Sequence, residues 1–138
     1  MASRDRAVTL RLQLRRAHEE LRRQIRTLRA DLGRRRTDDR VLVTHCLAFC
    51  GALTTHHQQE DTDIFAELVT QRPDLAGAVA KLVEDHQMIA AILSRMVDLA
   101  AQANGSRGSA LAAIARELDG LAAIMESHFN YEERVITG

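Results

Sequence analysis

Apolar residues return at alternating steps of three and four along almost the whole chain, a period that suits one face of an amphipathic helix and little else. Residues 7–32 carry Ala7, Leu14, Leu21, Ile25, Leu28 and Leu32 on such a stripe, with His18 inside it. Gly33 and the run Arg34-Arg35-Arg36 end the segment, and Thr37, Asp38 and Asp39 offer N-caps to the next. The second stripe is Cys46, Cys50, Leu53, His57, Glu60, Ile64 and Leu68, in a helix that runs to about Thr70. Pro73 closes that helix and begins the next, because proline has no N–H to donate and fits a first turn. The third stripe is Val79, Leu82, His86, Ile89, Leu93, Met96 and Ala100, and Asn104-Gly105-Ser106-Arg107-Gly108-Ser109 supplies a stop, a loop and a new cap. The fourth is Leu111, Ile114, Leu118, Leu121, Met125, His128, Glu132 and Val135. Four helices of roughly 25 to 30 residues joined by short loops predict an all-α, antiparallel up-down-up-down four-helix bundle, one domain over residues 1–138.

The composition agrees with helices. Aromatics are 3% of the chain, Trp is absent and Pro occurs once, so the 46% that is apolar is mostly Ala, Leu, Val and Ile. A chain of 138 residues buries a core without disulfides. Cys46 and Cys50 stand four apart in an apolar segment, so they form no CxxC pair and read as small buried thiols. The N-terminal stretch is charged throughout, and no apolar run is long enough for a secretion signal or a membrane span, which predicts a cytoplasmic protein with no membrane partner. The first forty residues hold 13 Lys and Arg against 6 Asp and Glu and the remainder 6 against 13, or about +7 and −7. Those arginines interleave with a helical stripe and lack aromatic stacking partners. They read as a solvated face that attracts the acidic helices, with no nucleic acid as partner.

Every stripe is interrupted by histidine where core is expected: His18, His57 with neighbouring His56, His86 and His128. Buried imidazoles are costly unless their nitrogens find partners. Two carboxylates accompany them, since His56 to Glu60 and His128 to Glu132 are i to i+4 and share a helix face. In an antiparallel bundle His18 lies about 15 residues before the first connection, His57 about 20 after it, His86 about 13 past Pro73 and His128 about 20 past the last loop; at 1.5 Å per residue all fall within about two turns of one level. Imidazoles and carboxylates together suit iron, manganese or zinc. About five imidazoles with two bridging carboxylates exceed one tetrahedral zinc and fit two octahedral irons with a position left open. No Glu-x-x-His pair of the ferritin-like kind occurs. A centre richer in imidazole than in carboxylate suits reversible binding of O2, peroxide or NO better than iron storage.

These residues resemble the hemerythrin-like, or HHE cation-binding, domains over nearly the whole chain. The matching parts are His18-Glu19-Glu20-Leu21-Arg22, His56-His57-Gln58-Gln59-Glu60-Asp61 followed by Ile64-Phe65, Asp85-His86, and His128-Phe129-Asn130-Tyr131-Glu132-Glu133. The resemblance implies two iron ions, oxo- or hydroxo-bridged, held by His18, His56, His57, His86 and His128 with Glu60 and Glu132 as bridges. Two departures stand out. Typical hemerythrins carry an i to i+4 histidine pair on the third helix, whereas His86 is followed four later by Ala90; His57 is the substitute donor, and the gap is expected to widen access. The frame of the second helix is also ambiguous, because His56/Glu60 and His57/Asp61 are equally good i, i+4 pairs. At roughly 100° per residue His57 lies near the centre of the apolar arc, with Glu60 about 60° to one side, Asp61 about 40° to the other and His56 about 100° away. The family pattern favours Glu60 as bridge, with Asp61 as stand-in. His45 reads as a boundary or surface residue, and Tyr131 as a ligand, a hydrogen-bond donor or a surface residue.

The expectation is thus a non-haem di-iron protein that binds or reacts with O2, peroxide or NO, as a binder or a modest oxidoreductase. The alternative is an iron- or oxygen-sensing module without turnover. A metal-free helical interaction protein is a third reading. The partner is a small diatomic ligand or peroxide, and the chain is a monomer or homodimer.

Overall fold

A computed structural model describes residues 2–34, 39–102 and 109–137. Among these residues the structure is helical, without strands: α1 (Ala2–Arg34), α2 (Asp39–Gln59), a π-helical turn (Glu60–Ile64), α3 (Phe65–Gln71), a 3-10 turn (Pro73–Leu75), α4 (Ala76–Gln102) and α5 (Ser109–Thr137). The caps expected at Thr37 and Asp38, the side chains of Ala7, Asp39 and Ser109, the Arg35-Arg36 stop and the loop over 104–108 lie outside what is described. No described helix is long and apolar enough to cross a membrane.

The four long helices pack as a ring in which α1 touches α2 and α5, and α4 touches α2 and α5. Ion pairs give their relative direction. Rising numbers on α1 meet falling numbers on α5, as Arg22 donates to Glu126 at 3.0 Å and Arg29 to Asp119 at 3.0 Å. The same holds for α4 and α5, where His86 meets His128 and Arg95 meets Glu117. The basic face of the first helix does pair with acidic residues of the last.

Burial follows the stripes. Every residue of the third stripe is buried, and of the fourth all but Val135, which is half-buried. A large apolar core unites Leu28, Leu42, Phe49, Leu93, Ile114, Leu118 and their neighbours, with Cys46 and Cys50 buried in it as free thiols. A small one joins Phe65, Val79 and Leu82. The second stripe departs from expectation after Glu60. There the backbone makes a π turn, in which the Phe65 N–H donates to the Glu60 carbonyl five residues back. One extra residue enters the turn, so Phe65 is buried to 2% exposure while Ile64 and Leu68 stay half-buried. Arg72, ahead of Pro73, is pushed to φ −130° and ψ 77°, which ends α3 as the proline rule requires.

Candidate metal centre

Between the large and the small core the interior turns polar. His18, Glu60, His86, His128 and Glu132 are at most 4% exposed and His57 5%, while the His56 side chain is 12% exposed. The histidines come from α1, α2, α4 and α5, Glu60 from the first position of the π turn and Glu132 from α5. Two groups of donors form. His57, Glu60, His86 and His128 offer ligand atoms within 4.8 Å of one another, and so do His18, His56, Glu60 and Glu132.

The two carboxylates lie between the imidazoles. Glu132 Oε1 accepts from His18 Nε2 at 3.1 Å, and its Oε2 is 3.0 Å from His128 Nε2 and 3.6 Å from His86 Nε2. Glu60 Oε1 is 3.3 Å from His56 Nε2 and 3.4 Å from His86 Nε2, with Oε2 3.9 Å from His18 Nε2. His86 and His128 approach Nε2 to Nε2 at 3.0 Å. Aromatic faces wall the site: Phe129 stacks on His18 at 3.9 Å, Phe65 lies over His86 at 5.5 Å, and the His57 and His86 rings stack at 3.8 Å.

The electrostatics follow from this crowding. Burial alone would lower His18 and His86, but the Glu132 and Glu60 carboxylates overcome it, with Asp61 helping at His86. His18 is raised to about 9 and His86 to about 10. His57 goes the other way, lowered to about 2 by burial and then by the charges of His86, His56 and His128, so its ring is neutral. Burial would raise the Glu132 carboxyl, yet contacts with Glu60, His128, His18 and His86 hold it well below the carboxylate range. A field negative enough to hold protons on two buried imidazoles also attracts a cation.

The donors ask for one. Five buried side-chain atoms have no hydrogen-bond partner among the described residues: His56 Nε2, His57 Nε2, both Glu60 oxygens and Glu132 Oε2. Glu132 Oε2 and Glu60 Oε1 have imidazole nitrogens nearby without the angle of a hydrogen bond. An unsatisfied buried polar atom costs about 1–3 kcal/mol, and a native interior keeps few of them. All five belong to the two donor groups. Buried lone pairs without a hydrogen-bond partner fit a Lewis-acid cation, and imidazole with carboxylate fits one of borderline hardness.

The family model for the hemerythrin HHE cation binding domain matches residues 10–138. The chain belongs to this family. Comparison with curated proteins and with solved structures finds no significant match. The hemerythrin family is one of cation-binding domains, and the two His/Glu groups fit a metal site.

The residues singled out from the hemerythrin pattern, His18, His56, His57, Glu60, His86, His128 and Glu132, all meet in these two groups. Asp61 does not join them. It stands on the outer side of His86, 2.7 Å from Nδ1, with its side chain 34% exposed. His45 is exposed. Tyr131 is half-buried under Lys81 and Arg134, which lie 5.6 and 5.9 Å from its ring. Ala90 is exposed, because the buried face steps by three from His86 to Ile89, so a residue at 90 is off the stripe. Asp85 and Glu133 were missed as participants. Asp85 Oδ2 is 3.1 Å from His128 Nδ1, and Glu133 Oε1 is 3.3 Å from His18 Nδ1. Their signal was an acid adjacent in sequence to a candidate donor, which is too common to stand out alone.

Proposed function

We propose that the two donor groups hold a pair of iron ions, with Glu60 and Glu132 as the shared carboxylates, and that the centre binds or reacts with O2, peroxide or NO. The observation that carries this reading is the set of five orphaned buried donor atoms, all within two groups that have Glu60 in common. His18, His56, His57, His86 and His128 are then the nitrogen donors. Iron supplies one- and two-electron chemistry toward small oxygen and nitrogen species. The chain's own part is to keep the imidazole and carboxylate lone pairs at the centre of the bundle and to exclude water with Phe65 and Phe129. The buried free thiols are in keeping with a reducing, cytoplasmic setting.

The test is anaerobic metal analysis, followed by spectra after adding O2, peroxide and NO in turn. Two irons per chain and charge-transfer bands in the near ultraviolet are expected. His128→Ala and Glu132→Ala should each lose most of the iron while circular dichroism keeps the helix signal. Full iron retention in both would overturn the assignment. Glu60→Gln should lose more iron than Asp61→Asn; the reverse order would move the bridge to Asp61.

The same orphaned atoms support a second reading, an iron- or oxygen-sensing module. A bundle with unsatisfied donors at its centre is stabilised by metal, so its folding reports metal occupancy. A large fall in melting temperature on chelation, with no turnover of peroxide, would favour sensing.

A further inference from the structure

Twice in this molecule two adjacent acids on one helical rod stand beside the two nitrogens of a histidine on a neighbouring helix. After α2, Glu60 Oε1 lies 3.4 Å from His86 Nε2 and Asp61 Oδ1 2.7 Å from His86 Nδ1. On α5, Glu132 Oε1 lies 3.1 Å from His18 Nε2 and Glu133 Oε1 3.3 Å from His18 Nδ1. The sequence pattern repeats as well: His56-x-x-x-Glu60-Asp61 and His128-x-x-x-Glu132-Glu133. In each pair the first acid is buried at the centre and the second reaches the outer edge of the ring.

A third outer carboxylate completes one half only. Asp85, just before His86, reaches His128 Nδ1 at 3.1 Å. The residue just before His18 is Ala17, which has no carboxylate to offer. Among the described residues no outer acid reaches His56 or His57. Two of the three outer acids are themselves anchored. Arg22 donates to Glu133 Oε2 at 3.3 Å while also holding Glu126 and Glu19, and Lys81 donates to Asp85 at 3.4 Å.

A neutral imidazole carries its proton on one nitrogen only. A carboxylate that accepts from Nδ1–H keeps it there and leaves the Nε2 lone pair facing the opposite way. We infer that Asp61, Asp85 and Glu133 are positioning residues that fix the Nδ1–H tautomer and ring angle of His86, His128 and His18 for metal binding, leaving His56 and His57 as the imidazoles without such backing. This rests on the metal-centre reading above.

The test is competition between the full-length protein, loaded anaerobically with Fe(II), and a chromogenic chelator. Asp61→Asn, Asp85→Asn and Glu133→Gln keep side-chain size and lose the charge. Each is expected to weaken iron retention by about 10- to 100-fold and to shift the near-ultraviolet bands of the oxidised centre, with helix content unchanged. Asp63→Asn is the control: Asp63 is exposed on the same π turn, and the substitution should change neither quantity. Asp85→Glu, which keeps the charge, should recover part of the affinity. Wild-type affinity and spectrum in all three variants would overturn the inference. So would an equal loss in Asp63→Asn, which would reduce the effect to general negative charge. Wild-type protein that takes up no iron would instead overturn the metal-centre reading itself, so the two failures are distinguishable.

Discussion

One half of the bundle is filled by Leu28, Leu42, Phe49, Ile114 and Leu118, none more than 3% exposed, whereas the other holds five imidazoles and two carboxylates against a small core of Phe65, Val79 and Leu82. Both halves draw on the same four long helices, and the alternation of three and four breaks only at the π turn beside the polar half. They differ in what burial does. Apolar burial has no direction, so any residue of suitable size on the stripe contributes. A buried imidazole contributes only if each nitrogen meets a partner at the right angle, and those of His56 and His57 each leave one nitrogen without a partner. The apolar half therefore stabilises the fold by itself, and the polar half lowers stability until something satisfies it.

The largest effect expected from this contrast is in the apolar half. Leu118 is fully buried among Ile114, Leu121 and residues of the facing helices. Leu118→Ala removes methyl groups and leaves a cavity, which costs about 2–5 kcal/mol. Urea unfolding should show that loss while iron per folded chain stays unchanged. A coupled fall in iron content would mean that the two halves are not separable as argued.

His57 gives the opposite sign. Its Nε2 is buried without a hydrogen-bond partner and its ring is neutral, with a pKa near 2 set first by burial, so replacing it breaks no ion pair. His57→Leu should raise the stability of the metal-free protein by about 1–3 kcal/mol, the cost of an orphaned polar group, and lower iron retention. Metal-free melting that falls instead would show that stacking on His86 at 3.8 Å outweighs the unsatisfied nitrogen.

The contrast also explains what could be read from the chain beforehand. Four helices and nearly all of the core follow from the three–four step, because periodicity and burial carry the same information. The residues of the two His/Glu groups were legible for the same reason: histidine on an apolar stripe is conspicuous. The failures lie where the backbone leaves constant rotation. A reading at about 100° per residue continues the second stripe through Ile64, but the π turn inserts one residue and hands the core position to Phe65. That turn has no strong residue signature, since its Glu60-Asp61-Thr62-Asp63-Ile64 would pass for ordinary helix. It also settles where Asp61 goes. The frame left Glu60 and Asp61 almost equivalent, yet Glu60 is fully buried and Asp61 reaches round to the outer nitrogen of His86. The outer acids Asp85 and Glu133 stayed unread because a carboxylate beside a histidine in sequence does not say which helix it faces.

The smallest effect separates two arginines of α1. Arg22 is a partly buried hub, its side chain 14% exposed, shared by Glu19, Glu126 and Glu133, and through Glu133 it touches the support of His18. Arg29, two turns on, makes one cross-helix pair with Asp119 at 3.0 Å, with side chains 45% and 63% exposed. Water and salt screen such a pair, and holding two long side chains costs entropy, so it contributes below about 1 kcal/mol. Arg29→Ala should therefore shift the urea midpoint only slightly at low salt and not at all near 1 M salt, where the screening length is about 3 Å, with iron content untouched. Arg22→Ala should loosen iron, because Glu133 loses its anchor. Equal effects from the two substitutions would break the distinction between the half of the bundle that holds the centre and the half that only holds the fold.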